Sequence, residues 1–387
     1  MKIRIYLLRN LKIIELIKHS PTYLVLLLSF LLVNGYQASA QKKPVKKEKH
    51  FEADLGFSTI YDNNILKYSD KYLDRFMNGQ DPGRFHIETY DDIIFNQSGE
   101  IAATYRIIKK LKTRFNVNYF FNSYATNNIK NWYFVNIGLQ QFISKRASFK
   151  VFYNYVPRFY VRHFRDDDLV EIYGYTPETF VQFSFTKENY GFWIQNTFFE
   201  NTRFRLAFDY AKYYHNKHYT EYDCKNYLFG ATLYQPLHEK LRLELGYEYE
   251  YSDAKGYDET GETKNTADDA DATYYEYGFV FGLDWKLPEI KKKEHDLDLK
   301  AGYQNRNYLS EHYLEEDPEH VSRVDNNVQA ALTYNFNLNK YFTLSAFYRY
   351  YFRDSGAESA FNDLYVSVEK DYKQSQVGIK VVYNIKF

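Results

Sequence analysis

Val377-Gly378-Ile379-Lys380-Val381-Val382-Tyr383-Asn384-Ile385-Lys386-Phe387 is the stretch whose reading decides the fold. Val377, Ile379, Val381, Tyr383, Ile385 and Phe387 take alternate positions, and Gly378, Lys380, Asn384 and Lys386 fill most of the gaps. Successive side chains of a strand point to opposite faces, so the segment has one apolar and one mostly polar face. An edge strand of a soluble sandwich would alternate in the same way. The other end of the sequence separates the two readings.

Residues 1–40 carry Lys2, Arg4, Arg9, Lys12 and Lys18, then an apolar run from Tyr23 to Val33, then Ala38-Ser39-Ala40 before Gln41. That order of basic, apolar and small residues predicts a secretory signal peptide cleaved near Ala40. The run is short for a hydrocarbon layer of ~30 Å, which argues against an anchor. Residues 41–50, basic and Pro-containing, have too little apolar surface to order and are expected to form a periplasmic tail. With Cys224 the single cysteine, no intrachain disulfide can form.

For an exported chain, residues 377–387 resemble the C-terminal signal of bacterial outer-membrane β-barrels. The resemblance implies that Val381, Tyr383, Ile385 and Phe387 form an insertion signal read by the barrel-assembly machinery. It also implies residence in the cell outer membrane, among its lipids and lipopolysaccharide. Tyr61-Asp62-Asn63-Asn64-Ile65 is similar to the end of strand one in a porin-like barrel family often linked to exopolysaccharide export. Asn/Asp clusters also mark turns, so this second likeness bears on architecture more than on substrate.

Composition agrees. Formal charge is zero, mean hydropathy is −0.60 and 20% of residues are aromatic, with 42 Tyr and 32 Phe. Membrane barrels concentrate aromatics at both interfaces, and their lipid-facing residues alternate with polar ones, so average hydropathy stays low. AT-rich codon usage would raise Tyr and Phe but would not create alternation. Nothing in the charge balance points to nucleic acid.

Residues 51–387 then read as one antiparallel up-and-down transmembrane barrel of about 14 strands, all-β, beginning at Phe51 and closing through the Phe387 strand. Residues 66–91 are expected to be a long loop, strand five to end near Arg162, and strand six to start near Tyr190. The intervening Thr179–Thr186 alternates and could extend a hairpin. Short turns near Lys109, Arg146, Asn201, His238 and Asn339 alternate with mostly longer connections, matching brief periplasmic turns and longer outer loops.

No catalytic set stands out: most histidines lie in or near loops and no Gly-x-Ser-x-Gly motif occurs. His215, His218 and Glu221 are metal-ligand types at a spacing that fits no established pattern. No cofactor is expected. The acidic stretches 253–271 and 311–319 could hold divalent cations that bridge lipopolysaccharide, or simply be hydrated.

Polar-face charges are more informative. Arg106, Arg114, Lys150, Arg158, Arg203 and Arg205 come from the first half of the wall, with Arg349 and Lys380 from its end. Glu244, Glu248, Asp284 and Asp298 come from strands nine to eleven. These are expected to line a pore, as a field across open water or as ion pairs that plug it. The function expected is a porin-like channel for small polar or charged solutes. The alternative is a barrel serving polysaccharide export or secretion and assembly; an outer-membrane enzyme comes third. Oligomeric state is open.

Replacing the terminal aromatic, Phe387→Asp, should impair insertion and lower outer-membrane levels in fractionated cells. Wild-type levels of that variant would reject the insertion-signal reading.

Overall fold

The computed structural model describes residues 50–108 and 111–386, so the signal-peptide expectation, nearly all of the basic tail, and Phe387 lie outside the described residues. Fourteen strands form one closed antiparallel sheet in which each pairs with its chain neighbours. They are β1 Phe51–Asp62, β2 Asp92–Ile108, β3 Leu111–Tyr124, β4 Trp132–Phe142, β5 Ala147–Arg165, β6 Phe180–Phe198 and β7 Thr202–His215. There follow β8 Cys224–His238, β9 Leu241–Ala254, β10 Tyr274–Lys286, β11 His295–Tyr308, β12 Val324–Asn337, β13 Phe342–Gly356 and β14 Tyr372–Lys386. The shortest, β4, has 11 residues, and a tilted strand needs about 9–11 to cross a bilayer.

Closure is made by β1 against β14, from Glu52 opposite Lys386 to Asp62 opposite Gln376. That register puts Leu55, Phe57 and Tyr61 beside Tyr383, Val381 and Val377 on one face. On this face Leu55, Ile101, Phe229 and Ile379 are about half exposed or more, an apolar belt with nothing of the chain to cover it. Such a belt belongs in hydrocarbon, and the architecture is that of a transmembrane barrel. The opposite face at the seam carries Ser58, Lys380 and Ser345 in one row. Gly378 lies in the next row beneath the Phe347 ring. A Cβ there would come within 2.5 Å of the ring and 2.8 Å of the Thr59 carbonyl oxygen, so only glycine fits.

Connections differ at the two ends. At one end the turns are short, such as 143–146, 199–201 and 239–240, and at the other most are long. Long connections carry helices: α1 Asp70–Met77 after β1, α2 Asp167–Tyr173 after β5, and α3 Ala360–Lys370 before β14. Ser69, Asp166 and Ser359 cap them by accepting backbone N–H bonds through their side chains.

Two expectations change. Strand six begins at Phe180, ten residues before Tyr190, so the alternating Thr179–Thr186 stretch, apart from Thr179 itself, is strand proper. β5 and β6, 19 residues each, therefore rise as a hairpin past the membrane-spanning length. The 66–91 connection is not a free loop: Ile65, Leu66, Tyr68, Tyr72 and Ile87 are buried in one cluster with Ile60, Ile94, Tyr124 and Phe347 of the wall.

A protease site inserted at Gly261, in the 255–273 connection, should be cut on intact cells, and one in the 143–146 turn should not. Cleavage only at the turn would invert the orientation.

Candidate functional site

Alternation on each strand assigns the inner wall: those positions that interleave with the exposed apolar residues. Arg106, Arg114, Lys150, Arg203, Arg205, Glu244, Glu248, Asp284, Asp298, Arg349 and Lys380 all fall on it. Arg158 does not follow. A register shift between Val156 and Phe159 leaves Pro157 and Arg158 opposite Thr186 alone, and Arg158 has a φ of 46° and an exposed side chain. A bulge of this kind leaves one residue out of the ladder and breaks the two-residue period from which its placement was inferred. Arg162, two turns of the alternation further on, is drawn into the mouth instead.

The charges on the wall are paired sideways. Arg114 meets Glu52 at 3.0 Å and Glu100 at 3.1 Å, Arg306 meets Glu276 at 2.9 Å, and Arg242 bonds Asp284. Arg353 lies 3.8 Å from Asp325, which also holds Arg323 at 2.7 Å. These pairs join strands at most two apart or a strand to its own leading loop; none of them reaches across the bore. Lys150, Arg203, Arg205 and Lys380 have no ion pair among the described residues. Arg203 instead lies 4.2 Å from the centre of the Tyr234 ring and Arg205 4.6 Å from that of Trp193. Glu244 and Glu248 likewise form no ion pair among the described residues. The basic β3–β7 side and the acidic β9–β11 side thus both exist, although Arg242, Lys300 and Arg306 dilute the acidic side.

Two inner-wall features escaped the sequence reading. One is an amide ladder: Asn96 donates to Asn122 at 3.2 Å, Asn116 and Asn118 to Asn136 at 3.3 and 2.8 Å, and Asn136 to Asn154. Its signal was present as asparagine at alternate positions on β2–β5. The other is a recess of about 240 Å³ where Lys187, Asp209, Glu248 and Glu250 meet with Asn189 and Asn226. Lys187 was hidden because strand six was started three residues after it.

At the end with the long connections, the 63–91 segment folds inward. Asp62 accepts from the amides of Gln374 and Gln376, at 2.7 and 2.8 Å. Asn64 donates to the carbonyls of Tyr68 and Lys373, at 2.8 and 3.0 Å. The Asp62-Asn63-Asn64 motif is therefore a clamp that turns the chain from β1 into the mouth. From there Lys67 reaches the inner-wall rings of Tyr351 and Tyr372, and Arg162 donates to the Leu66 carbonyl at 2.7 Å. Tyr72 and Lys71 on α1 both bond Glu369 on α3, at 2.6 Å each. The mouth is narrowed by a packed segment.

His215 and His218 do not share a metal site: His215 bonds Asp223 at 3.3 Å and His218 bonds Asp166 at 2.7 Å.

No family model matches the chain, and no curated protein matches it in sequence. Among solved structures it is similar to the outer membrane channel DcaP of Acinetobacter baumannii, at 11% identity and a TM-score of 0.46, over 87% of this chain and 97% of that one. It is also similar to an anion-selective porin from Comamonas acidovorans, at 8% identity and a TM-score of 0.41, over 87% and 99%. A bacterial polysaccharide outer membrane secretin matches at 8% identity and a TM-score of 0.42, over 88% and 99%. These likenesses are loose, and what the bore does has to come from its own residues.

Leu66→Ala should remove about 2–5 kcal/mol of packing from the infolded segment and raise single-channel conductance in planar bilayers. Conductance equal to wild type, with the barrel folded, would show that this segment does not limit the passage.

Proposed function

We propose that the barrel is a porin-like channel of the outer membrane that passes small polar or charged solutes. It would be inserted by the barrel-assembly machinery and surrounded by lipid and lipopolysaccharide. The observation that carries this reading is the sideways pairing of the wall charges. A lumen plugged by ion pairs would need partners from opposite strands, because a buried charge left alone is costly. Here the pairs run along the wall and unpaired Arg203, Arg205, Glu244 and Glu248 are left facing the bore, where water can solvate them.

The amide ladder adds hydrogen-bonding groups along the route, and the recess sets Lys187, Asp209, Glu248 and Glu250 beside Ala211 and Leu228, a largely charged lining that favours hydrophilic solutes over hydrocarbon ones. Fourteen strands give a bore between side-chain-filled barrels of eight and open porins of sixteen or more. The infolded mouth narrows it further, so the passage suits small solutes. Because Asp62 and Asn64 are accounted for as a clamp, the motif they share with export-linked barrels does not itself favour an export role.

Reversal potentials in a salt gradient test the proposal. Arg203→Gln with Arg205→Gln should shift selectivity towards cations, since pores select by the sign of their walls. Glu244→Gln with Glu248→Gln should shift it towards anions. Both shifts should shrink as salt rises from about 0.1 M to 1 M, where the screening length falls from ~10 Å to ~3 Å. No conductance from either the folded wild type or the folded Leu66→Ala variant would reject the channel.

A further inference from the structure

The recess in the inner wall at β6–β9 has a chemistry apart from the general polarity of the bore. It measures about 240 Å³ and lies where Lys187 and Asn189 of β6, Asp209 of β7, Asn226 of β8, and Glu248 and Glu250 of β9 come together. The register shows why the wall is hollow there. Ala211 lies between Asn189 and Asn226 in one row, and Gly230 lies between Ala207 and Glu248 in another, so small residues leave room among long ones. A Cβ at Gly191 would collide with Asp209 Oδ1, so glycine at that position lets the carboxylate lie against β6.

The polar groups of the recess are unevenly served. Glu250 is satisfied within the wall, where Asn226 Nδ2 and the Tyr274 hydroxyl each donate to its Oε1 at 2.6 Å. Asp209 takes a hydrogen bond from the Asn189 side chain. The oxygen of that amide, Asn189 Oδ1, is buried and has no hydrogen-bond partner. The Glu248 carboxylate has neither an ion pair nor a hydrogen bond among the described residues. Lys187 forms no ion pair either, and its Nζ rests 4.6 Å from the centre of the Tyr213 ring. Three carboxylates against one ammonium leave the recess formally negative.

Carboxylates and an amide oxygen only accept hydrogen bonds, and a buried acceptor left without a donor is costly. Water can donate to them but leaves the charge excess in place. A primary ammonium brings three N–H donors together with a positive charge. Asp209, Glu248 and Asn189 Oδ1 offer it acceptors from three strands. Asp209, Glu248 and Glu250 do not all bring an oxygen within 4.8 Å of one another, as a shared metal ion would require, so an organic cation that spans the recess suits them better than a bare ion.

We propose that this recess is a binding subsite for the ammonium group of a small organic amine passing through the bore. The inference rests on the channel reading and deepens it, by naming the solute class that the β6–β9 arc holds in transit.

The test uses the full barrel, purified in detergent at low salt and titrated calorimetrically with putrescine, a four-carbon diamine, and separately with butanediol, its uncharged analogue. Saturable putrescine binding is expected, with butanediol at least tenfold weaker. Asp209→Asn with Glu248→Gln should weaken putrescine binding tenfold or more. Ala211→Leu, which fills the recess without changing its charge, should do the same. Asp54→Asn, on the inner wall of β1 and outside the recess, should leave the affinity within twofold of wild type. If the double variant does not fold, Ala211→Leu and the butanediol comparison carry the same test. No saturable putrescine binding, or butanediol binding equally well, overturns the subsite. Putrescine affinity that survives in the folded recess variants, or that falls equally in Asp54→Asn, overturns it too, since the overall charge of the bore would then explain the binding. Binding in detergent does not require conduction. A barrel that conducts but gives no putrescine heat overturns the subsite alone, and one that binds putrescine without conducting rejects the channel and not the site.

Discussion

Everything in this molecule depends on β1 finding β14. Hydrocarbon offers no partner to a backbone N–H or C=O, so an open fourteen-stranded sheet would expose two rows of unsatisfied groups, each costing several kcal/mol. The continuous register from Glu52–Lys386 to Asp62–Gln376 removes both edges at once. It also fixes the faces, because a slip of β1 by one residue against β14 would turn Ser58 towards lipid and Leu55 towards the bore. Gly378 under Phe347 and the amides of Gln374 and Gln376 on Asp62 hold that register at the seam.

Closure then sets the terms for the mouth. Once the wall is continuous, a long connection has either water above it or the bore beneath it. The 63–91 segment carries Ile65, Leu66, Tyr68 and Tyr72, more apolar surface than a solvated loop can leave exposed, and the inner wall just below offers Ile60, Ile94, Tyr124 and Phe347. Burying each such side chain stabilises by about 1.5–3 kcal/mol. The inward fold follows from that complementarity. The Asp62–Asn64 clamp supplies the direction.

How much of this was legible in the sequence depended on the range of the interaction. Strand existence, the order of short turns and long connections, and the inner position of Arg114, Lys150, Arg205, Glu244 and Lys380 follow from a period of two and needed nothing distant. Arg158 was misplaced because a bulge adds one residue to the count without altering local composition. The start of β6 was placed late because the polar run Lys187-Glu188-Asn189 separates the alternating Thr179–Thr186 stretch from Tyr190 and reads as a break, although it belongs to the same strand. The infolded segment, the amide ladder and the recess at β6–β9 join residues far apart in sequence, and no local pattern announces them.

The electrostatics of the bore follow from the same geometry. Residues paired across neighbouring strands have Cβ atoms about 5 Å apart, within reach of long side chains, whereas the far wall lies beyond them. Arg114 therefore finds Glu52 and Glu100, and Arg242 finds Asp284, before any partner opposite. Exposed pairs of this kind contribute about 0–1 kcal/mol each, too little to explain why so many charges line one surface. Their value is that they keep the wall polar at small cost in stability while leaving Arg203, Arg205, Glu244 and Glu248 unmatched. In a hydrated bore unmatched charges of both signs, held on different arcs of the wall, act over a screening length of about 8–10 Å at ordinary salt. On the proposed channel reading, a solute in the bore would pass these charges, and it is the limited span of the side chains that leaves them unmatched.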